Sequence, residues 1–323
     1  MAKDLVIGVD LGGTKISAAL VASQDMSILD RAYMLTPSTE GPSSVVEAIF
    51  SAVEALLRSD KIEPSRLAAI AISSAGPSDP RTGVVFASPR IGGWHNVPLQ
   101  NLVQERFDIP TIVHNDANAA AWGEFTLGAG RGTQNMVYVT VSTGIGGGLI
   151  IDGRLYTGAS GTAGEIGHTS VCANGILCEC GSHGCLEMYS SGTAIARRAQ
   201  EALDKGTETR IAHLTEELGE GLTGRVVALA AQEGDLVALD IIVEAGNYLG
   251  VGLANLVNLL NPDMIVIGGG MAQVGDLLLG PAREEMGRRA FEMPAMWVKI
   301  VPAALGVDAP LLGVVALAFE EGS

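Results

Sequence analysis

Short apolar blocks separated by glycines dominate the first third of the chain. Leu5–Asp10 is apolar and rich in β-branched residues, Leu11-Gly12-Gly13-Thr14 reads as a turn, and Ile16–Ala22 as a second strand, so the chain opens on a hairpin. Ile28–Thr36 predicts a third strand. Val45, Ile49, Val53 and Leu56 fall at the spacing of one helix face after the start signal Pro42-Ser43-Ser44, which predicts a helix over Val45–Arg58. A strand is expected at Leu67–Ser73, ending at Ala75-Gly76-Pro77, then a helix at Leu99–Phe107 and a strand at Thr111–His114.

The plan then repeats. An alanine-rich helix is expected over Ala117–Leu127, directly after Asp116, and Gly128–Gly132 reads as a loop. Met136–Val141 predicts a strand, Thr143–Gly148 a glycine turn, and Leu149–Ile151 the next strand. Residues 152–192 read as irregular, and the chain is mostly helical from Thr193. Met264–Ile267 predicts a strand ending at Gly268-Gly269-Gly270, and Ala309–Glu320 a closing helix. Strand, glycine turn and strand occurring twice predict a duplicated α/β architecture with a cleft between the halves. The boundary is expected within Asn115–Ala120, with lobes of residues 1–117 and 118–305.

A length of 323 residues suits two domains. A net charge of −16 argues against a nucleic-acid partner and against an anionic membrane surface. Leu236–Leu260, the most apolar stretch, is interrupted by Asp240, Glu244, Asn247, Asn255 and Asn258, and reads as a buried helix of a soluble protein. The opening MAKDLVIGVD lacks the features of a secretory signal, and the expected location is the cytoplasm.

Three glycine clusters follow strands. In Asp10-Leu11-Gly12-Gly13-Thr14-Lys15, glycines let the backbone approach a phosphate, Thr14 adds a hydroxyl, Lys15 a cation, and Asp10 an acid suited to Mg²⁺. Ser142-Thr143-Gly144-Ile145-Gly146-Gly147-Gly148 is a second turn of the same kind, so the pair can grip a polyphosphate. Gly268-Gly269-Gly270 is the third and suits a flat nucleoside. Neither a Walker A spacing nor a Rossmann fingerprint is present. Asp116 stands where a helix N-cap is expected, and beside phosphate turns it also suits a base that accepts a proton from an alcohol. Asn115 offers both donor and acceptor to a polyol.

All four cysteines fall within fourteen residues. His168, Cys178, Cys180 and Cys185 form the pattern H-x9-C-x-C-x4-C, a donor set suited to a closed tetrahedral Zn²⁺. Cys172 is left as a bystander, and His183 as an exposed residue rather than a ligand. Glu165 and Glu187 flank the knot, placed to accept vicinal sugar hydroxyls.

These motifs, with Asn115-Asp116-Ala117-Asn118-Ala119-Ala120, Glu165-Ile166-Gly167-His168 and Cys178-Glu179-Cys180-Gly181-Ser182-His183-Gly184-Cys185-Leu186-Glu187, resemble the ROK family of sugar kinases and repressors over essentially the whole chain. The resemblance implies two actin-like (ribonuclease-H-like, hexokinase-type) α/β lobes around a cleft, with a structural zinc knot and the closing helix, about 306–323, returning to the first lobe. It implies Asp116 as catalytic base, with Asn115, Asp116, Glu165, His168, Glu187 and Gly76 around the sugar. His168 would give its other ring nitrogen to zinc. Asp10, Gly12, Gly13, Thr14, Lys15, Thr143 and Gly144 would serve ATP with Mg²⁺, and Gly269 and Gly270 would lie near the adenosine. Ala117–Glu124 is most similar to ROK glucokinases, so glucose and ATP are the expected partners, in a homodimer or higher homo-oligomer. The sugar residues are shared with kinases of fructose, allose and N-acetylmannosamine, and polyphosphate or ADP would need similar turns. A non-catalytic sugar sensor would keep the sugar residues and degrade the turns. The repressors' N-terminal DNA-binding helices have no room before a strand that begins by residue 5. Ser88-Pro89-Arg90 departs from the Pro-Asn found in many relatives, which places Arg90 in the sugar-side loop.

Overall fold

A computed structural model describes residues 3–58, 64–88 and 90–321. The opening hairpin forms as predicted: β1 (Leu5–Leu11) pairs antiparallel with β2 (Lys15–Ala22), and β2 with β3 (Ile28–Leu35). The helix α1 (Pro42–Leu57) starts three residues before the predicted Val45, with Pro42 in its first turn. Next come β4 (Leu67–Ser74), three short strands β5 (Ser78–Asp79), β6 (Val84–Ala87) and β7 (His95–Pro98), the helix α2 (Leu99–Phe107), β8 (Thr111–Asn115) and α3 (Asp116–Thr126). The first sheet has the order β3-β2-β1-β4-β8, with β1, β4 and β8 parallel.

β1 reads as a continuous apolar run because both its faces are covered. Leu5, Ile7, Val9 and Leu11 join a core with Val45, Ile49 and Val53 of α1 and Leu99 and Val103 of α2. Val6 points the other way, into a core with Ala119 of α3 and with Leu311, Val314 and Val315 near the C-terminus.

The second half supplies β9 (Met136–Val141), β10 (Ile145–Ile151) and β11 (Arg154–Tyr156), then the single-turn helix α4 (Glu187–Ser190) and α5 (Gly192–Asp204), α6 (Arg210–Leu218), α7 (Gly224–Gln232) and α8 (Leu236–Leu260). After these come β12 (Met264–Gly268), α9 (Asp276–Arg289), α10 (Glu292–Trp297), β13 (Lys299–Pro302) and α11 (Ala309–Glu321). The second sheet runs β11-β10-β9-β12-β13. Counting strands within each sheet in chain order, both sheets read third-second-first-fourth-fifth, which bears out the duplication expected from the sequence.

Contacts divide the chain into one unit of residues 1–132, 148–164 and 307–323 and a second of 133–147 and 165–306. The division differs from the expected break at 117/118 because α3 is bound to α11. A Cβ on Gly313 would stand 1.7 Å from the Ala119 carbonyl oxygen, and one on Gly123 would stand 2.8 Å from that of Ala309. Two glycines thus let the helices meet backbone to backbone, which keeps α3 in the first unit.

In the second unit α8 lies on α9 in the same way: Gly246 and Gly250 approach the carbonyls of Leu278 and Ala282. By length and composition alone α8 passes for a membrane span, yet half of its most apolar window is buried inside the fold. α10 buries none of its residues; Phe291, Met293, Met296 and Trp297 stand exposed, as does Leu259 near the end of α8, where Asn258 accepts the Phe291 N–H.

Candidate functional site

In the first unit the site grows from the end of β1. Gly12 N–H donates to the Lys15 carbonyl and closes the hairpin turn, while the Gly13 and Thr14 N–H groups have no partner among the described residues. Lys15 Nζ rests 4.0 Å above the Tyr33 ring centroid. Burial pushes the Asp10 carboxyl above the ordinary carboxylate range; Ser73, whose hydroxyl donates to Oδ1 at 2.6 Å, and Lys15 oppose that shift, and Asp308 adds to it. An acid held this way gains from a cation brought to it.

Gly13 is also constrained by packing. A Cβ there would lie 2.4 Å from Cδ of Arg90, so the Arg90 stem packs directly on the turn. The departing loop residue therefore packs on the hairpin turn; its neighbour Pro89 lies outside the described residues.

The structure corrects the cap assignment at α3. Asn115, not Asp116, is the N-cap: its Oδ1 accepts from the N–H groups of Ala117 and Asn118 at 2.9 and 3.0 Å. Its Nδ2 donates to the Gly76 carbonyl at 3.0 Å and to Asp116 Oδ1 at 3.1 Å. Both hydrogens and both acceptor positions of the Asn115 amide are thus spent within the protein. Gly76, at φ +100°, turns its carbonyl to that amide. Asp116 becomes the first helical residue, where the helix N-terminus favours its negative charge, and its Oδ1 also accepts from Ala117 N–H at 2.8 Å.

In the second unit the glycine turn is shorter than the sequence suggests. It spans Ser142–Gly144, and Gly146, Gly147 and Gly148 are strand residues of β10. Neighbours press on two of them: a Cβ on Gly147 would lie 2.2 Å from Ile166 Cδ1, and one on Gly148 2.5 Å from Ala121 Cβ. Ser142 N–H donates to the Gly144 carbonyl, Ile145 N–H donates to Glu187 Oε2 at 2.9 Å, and the N–H groups of Thr143 and Gly144 are left without a partner among the described residues. The two turns therefore present the same feature, a pair of adjacent free N–H groups: Gly13 with Thr14, and Thr143 with Gly144.

His168, Cys178, Cys180 and Cys185 converge as their spacing predicts, with all four ligand atoms within 4.8 Å of one another. Cys178 Sγ lies 3.7 Å from His168 Nδ1, and Cys180 Sγ 3.6 Å from Cys185 Sγ. Metal–sulfur bonds of about 2.3 Å in a tetrahedron put ligand atoms about 3.8 Å apart, so the donor set fits such an ion. Local geometry builds the knot. Gly181 at φ +87° lets its N–H donate back to the Cys178 carbonyl, and at Gly184 a Cβ would collide with the Cys172 carbonyl oxygen. Burial pushes the Cys185 thiol up to about 12, whereas a hydrogen bond from the Ser182 backbone lowers Cys180. A buried thiol of that kind ionises when a metal takes the thiolate. His183 stays outside the cluster and exposed, its Nδ1 on the Gly175 carbonyl, and Cys172 is likewise not a member.

Nδ1 of His168 faces the thiols, which turns Nε2 away from them. Glu165 is exposed as a residue; desolvation raises its pKa, His168 opposes the rise and the Glu187 charge adds to it. Two acids and an imidazole that influence one another electrostatically suit recognition of neighbouring hydroxyl groups, as acceptors and donor respectively.

A cavity of about 530 Å³ opens in the second unit, lined among others by Thr143, Thr193, Arg225, Gln232, Gly270 and Met271. Thr143 and Gly270 were expected beside a nucleotide. Gly269 is absent from the lining; at φ +86° a Cβ there would meet the Val141 carbonyl, so this glycine serves the backbone. The walls from α5 and α7 were missed in the sequence. Their signal is a repeated hydroxyl cap followed by glycine, Ser191-Gly192 and Thr223-Gly224, which lets the two helix starts touch: a Cβ on Gly224 would stand 2.8 Å from Gly192 Cα.

Known proteins resemble this chain over nearly its whole length. The ROK family model matches residues 6–321. A glucokinase of Streptomyces coelicolor is 38% identical over 98% of this chain and 98% of its own. A xylose repressor of Caldicellulosiruptor bescii is 32% identical over 98% of this chain and 78% of its own. Among solved structures, a ROK family glucokinase from Streptomyces griseus in complex with glucose and AMPPNP superposes with a TM-score of 0.83 at 38% identity, covering 98% of this chain and 99% of that one.

Proposed function

The chain belongs to the ROK family, and from that premise we propose that it is an ATP-dependent glucokinase, transferring the γ-phosphoryl group of ATP to the 6-hydroxyl of glucose. The observation that carries the reading is Asp116: Asn115 takes over the capping duty and holds the carboxylate at the helix start, placed to accept a proton. The 6-oxygen forms its bond to the γ-phosphorus as the bond to the β–γ bridging oxygen breaks; the hydroxyl proton passes to Asp116, and ADP leaves with the bond's electron pair. The N–H pairs at Gly13/Thr14 and Thr143/Gly144, with Lys15, stabilise the phosphate charge. Asp10 is the acid that would hold a Mg²⁺ ion bound with the nucleotide, which would supply positive charge against the phosphates. Glu165, Glu187 and His168 Nε2 orient the sugar, and the cavity lined by Gly270 and Met271 takes the adenosine. The likeness to glucokinases, one of them solved with glucose and an ATP analogue, supports glucose and ATP over the other hexoses and donors.

The Cys/His cluster holds a structural zinc ion in this reading, closed to substrate and setting His168 and Glu187 in place. Free thiols fit a reducing cytoplasm. Cys180→Ser is expected to lose the metal, read by elemental analysis, together with several degrees of melting temperature. The exposed apolar side chains of α10 support self-association as a homodimer or higher homo-oligomer.

A coupled assay of ADP release with ATP, Mg²⁺ and a panel of hexoses tests the activity. Turnover with glucose well above that with every other sugar is the expected result. Preference for fructose or N-acetylmannosamine would move the substrate and leave the base and metal assignments standing. Sugar binding without turnover would favour a sensor, in line with the xylose repressor among the relatives.

A further inference from the structure

Gly144 is not glycine for the sake of its backbone angles: its φ is not among the positive ones. It is glycine for space. A Cβ built there would lie 2.3 Å from Oε2 of Glu187 and 3.3 Å from its Cδ. The same Oε2 accepts the Ile145 N–H at 2.9 Å. Glu187 therefore reaches into the turn that carries the free Thr143 and Gly144 N–H groups and fastens its C-terminal side. The other side is fastened by α5, whose Gly192 N–H donates to the Ser142 carbonyl at 2.7 Å and whose Thr193 hydroxyl donates to the Thr143 carbonyl at 2.8 Å. One clamp is rigid helix. The other is a side chain whose second oxygen, Oε1, has no hydrogen-bond partner among the described residues.

Building on the glucokinase reading, we infer that Glu187 is a positioning residue that couples the sugar to the nucleotide: Oε1 takes a sugar hydroxyl while Oε2 sets the Thr143–Gly144 turn. A sugar that orders this carboxylate orders the turn, so the N–H pair is aimed before the nucleotide arrives. By linkage, the nucleotide tightens the sugar by the same factor.

Isothermal titration of the full chain with glucose, with AMPPNP, and with each in the presence of the other gives that factor directly. For the unaltered protein glucose is expected to tighten AMPPNP at least about fivefold, the lower end of typical couplings. In Gly144→Ala the new methyl drives the carboxylate off the turn, so glucose binding measured without any nucleotide weakens about tenfold or more and the coupling factor falls toward one. Glu187→Asp, shorter by one methylene, vacates the space the methyl needs. The double variant is therefore expected to bind both ligands within about twofold of Glu187→Asp alone, the non-additivity of two groups in contact. Glucose affinity unchanged in Gly144→Ala, with the defect confined to AMPPNP, would overturn the inference, as would losses that multiply in the double variant. Circular dichroism checks folding. If Gly144→Ala does not fold, Glu187→Asp decides alone: a coupling factor near one supports the link, and the unaltered factor sinks it. An unaltered protein that binds no glucose refutes the glucokinase reading itself, whereas one that binds glucose with a coupling factor of one refutes only the link.

Discussion

Asp10 and Asp116 are both carboxylates at the end of a strand, and their surroundings treat them in opposite ways. Asp116 sits at a helix N-terminus with an amide and a backbone N–H on Oδ1. Asp10 is enclosed, and burial outweighs the help of Ser73 and Lys15. Its folded pKa lies above the ordinary 3.8, so between those two values the folded protein binds the proton that the unfolded chain has released. Stability from this group accordingly falls as pH rises from about 4 through the folded pKa, and the cost persists at neutral pH. Asp10→Asn keeps an acceptor for the Ser73 hydroxyl and removes the buried charge. The ligand-free variant should melt a few degrees higher at pH 7, as for ~1 kcal/mol, with the gain shrinking toward pH 4, while turnover drops about a hundredfold for want of the cation's partner. A lower melting temperature would show that Asp10 is stabilised by its neighbours. For Asp116→Asn the expectation differs: Asn115 still caps α3, so melting stays within about 2 °C and glucose affinity within threefold. Turnover falls about 10² to 10⁴-fold, the contribution of a positioned base. Normal turnover would remove Asp116 from the reaction.

Among the helices, α3 matters most because its first residue is that carboxylate. Its direction is set by α11, against which Gly123 and Gly313 allow backbone contact. Gly313→Ala should destabilise the protein by about 1–3 kcal/mol, the cost of overpacking, and lower turnover with it as α3 shifts. Gly287→Ala in α9 is the control: nothing lies within 4 Å of a Cβ there, so better helix propensity should stabilise it by about 0.5–1 kcal/mol. Thermal denaturation of the two variants side by side checks both signs. The same two glycines show where sequence reading stops. The helices themselves were legible from apolar spacing, to within three residues at α1 and α3, but a glycine that admits a neighbouring backbone looks the same in sequence as one that admits a phosphate. Gly146, Gly147 and Gly148 read as a phosphate turn for that reason, yet all three are strand residues, Gly147 packed by Ile166 and Gly148 by Ala121. β5, β6, β7 and β13 were missed because each is four residues or fewer and carries too little alternation to register. Sequence alone does not separate Asn115 from Asp116 as the cap, because both are favoured there and only the fold decides which side chain turns back onto the helix. The convergence of His168, Cys178, Cys180 and Cys185, by contrast, is legible in full, since their chemistry and spacing admit few other arrangements.

Over the whole molecule, charge and apolar exposure pull against each other. A chain of net charge −16 repels its copies, so any self-association must come through a surface where acids are sparse and apolar area is large. The second unit has such a surface. Phe291, Met296 and Trp297 are each about three-quarters exposed, at 73, 74 and 74%, and Leu259 reaches 80%. Glu292 is the only acid in the α10 helix itself. Large aromatic and methionine side chains left in water at this density are what an interface between copies would bury. If they do so here, the protein sediments at twice its 33.3 kDa chain mass. Trp297→Glu, which adds a charge where none can be paired, should then release a folded chain that sediments singly. Added salt should strengthen the association of the unaltered protein, since screening relieves the repulsion and leaves apolar burial intact. Sedimentation velocity at low and high salt, with circular dichroism to confirm that Trp297→Glu stays folded, separates the outcomes. A single-chain species at every salt concentration would mean that these side chains stay exposed in the free protein, and an oligomer unchanged by Trp297→Glu would place its interface on another face.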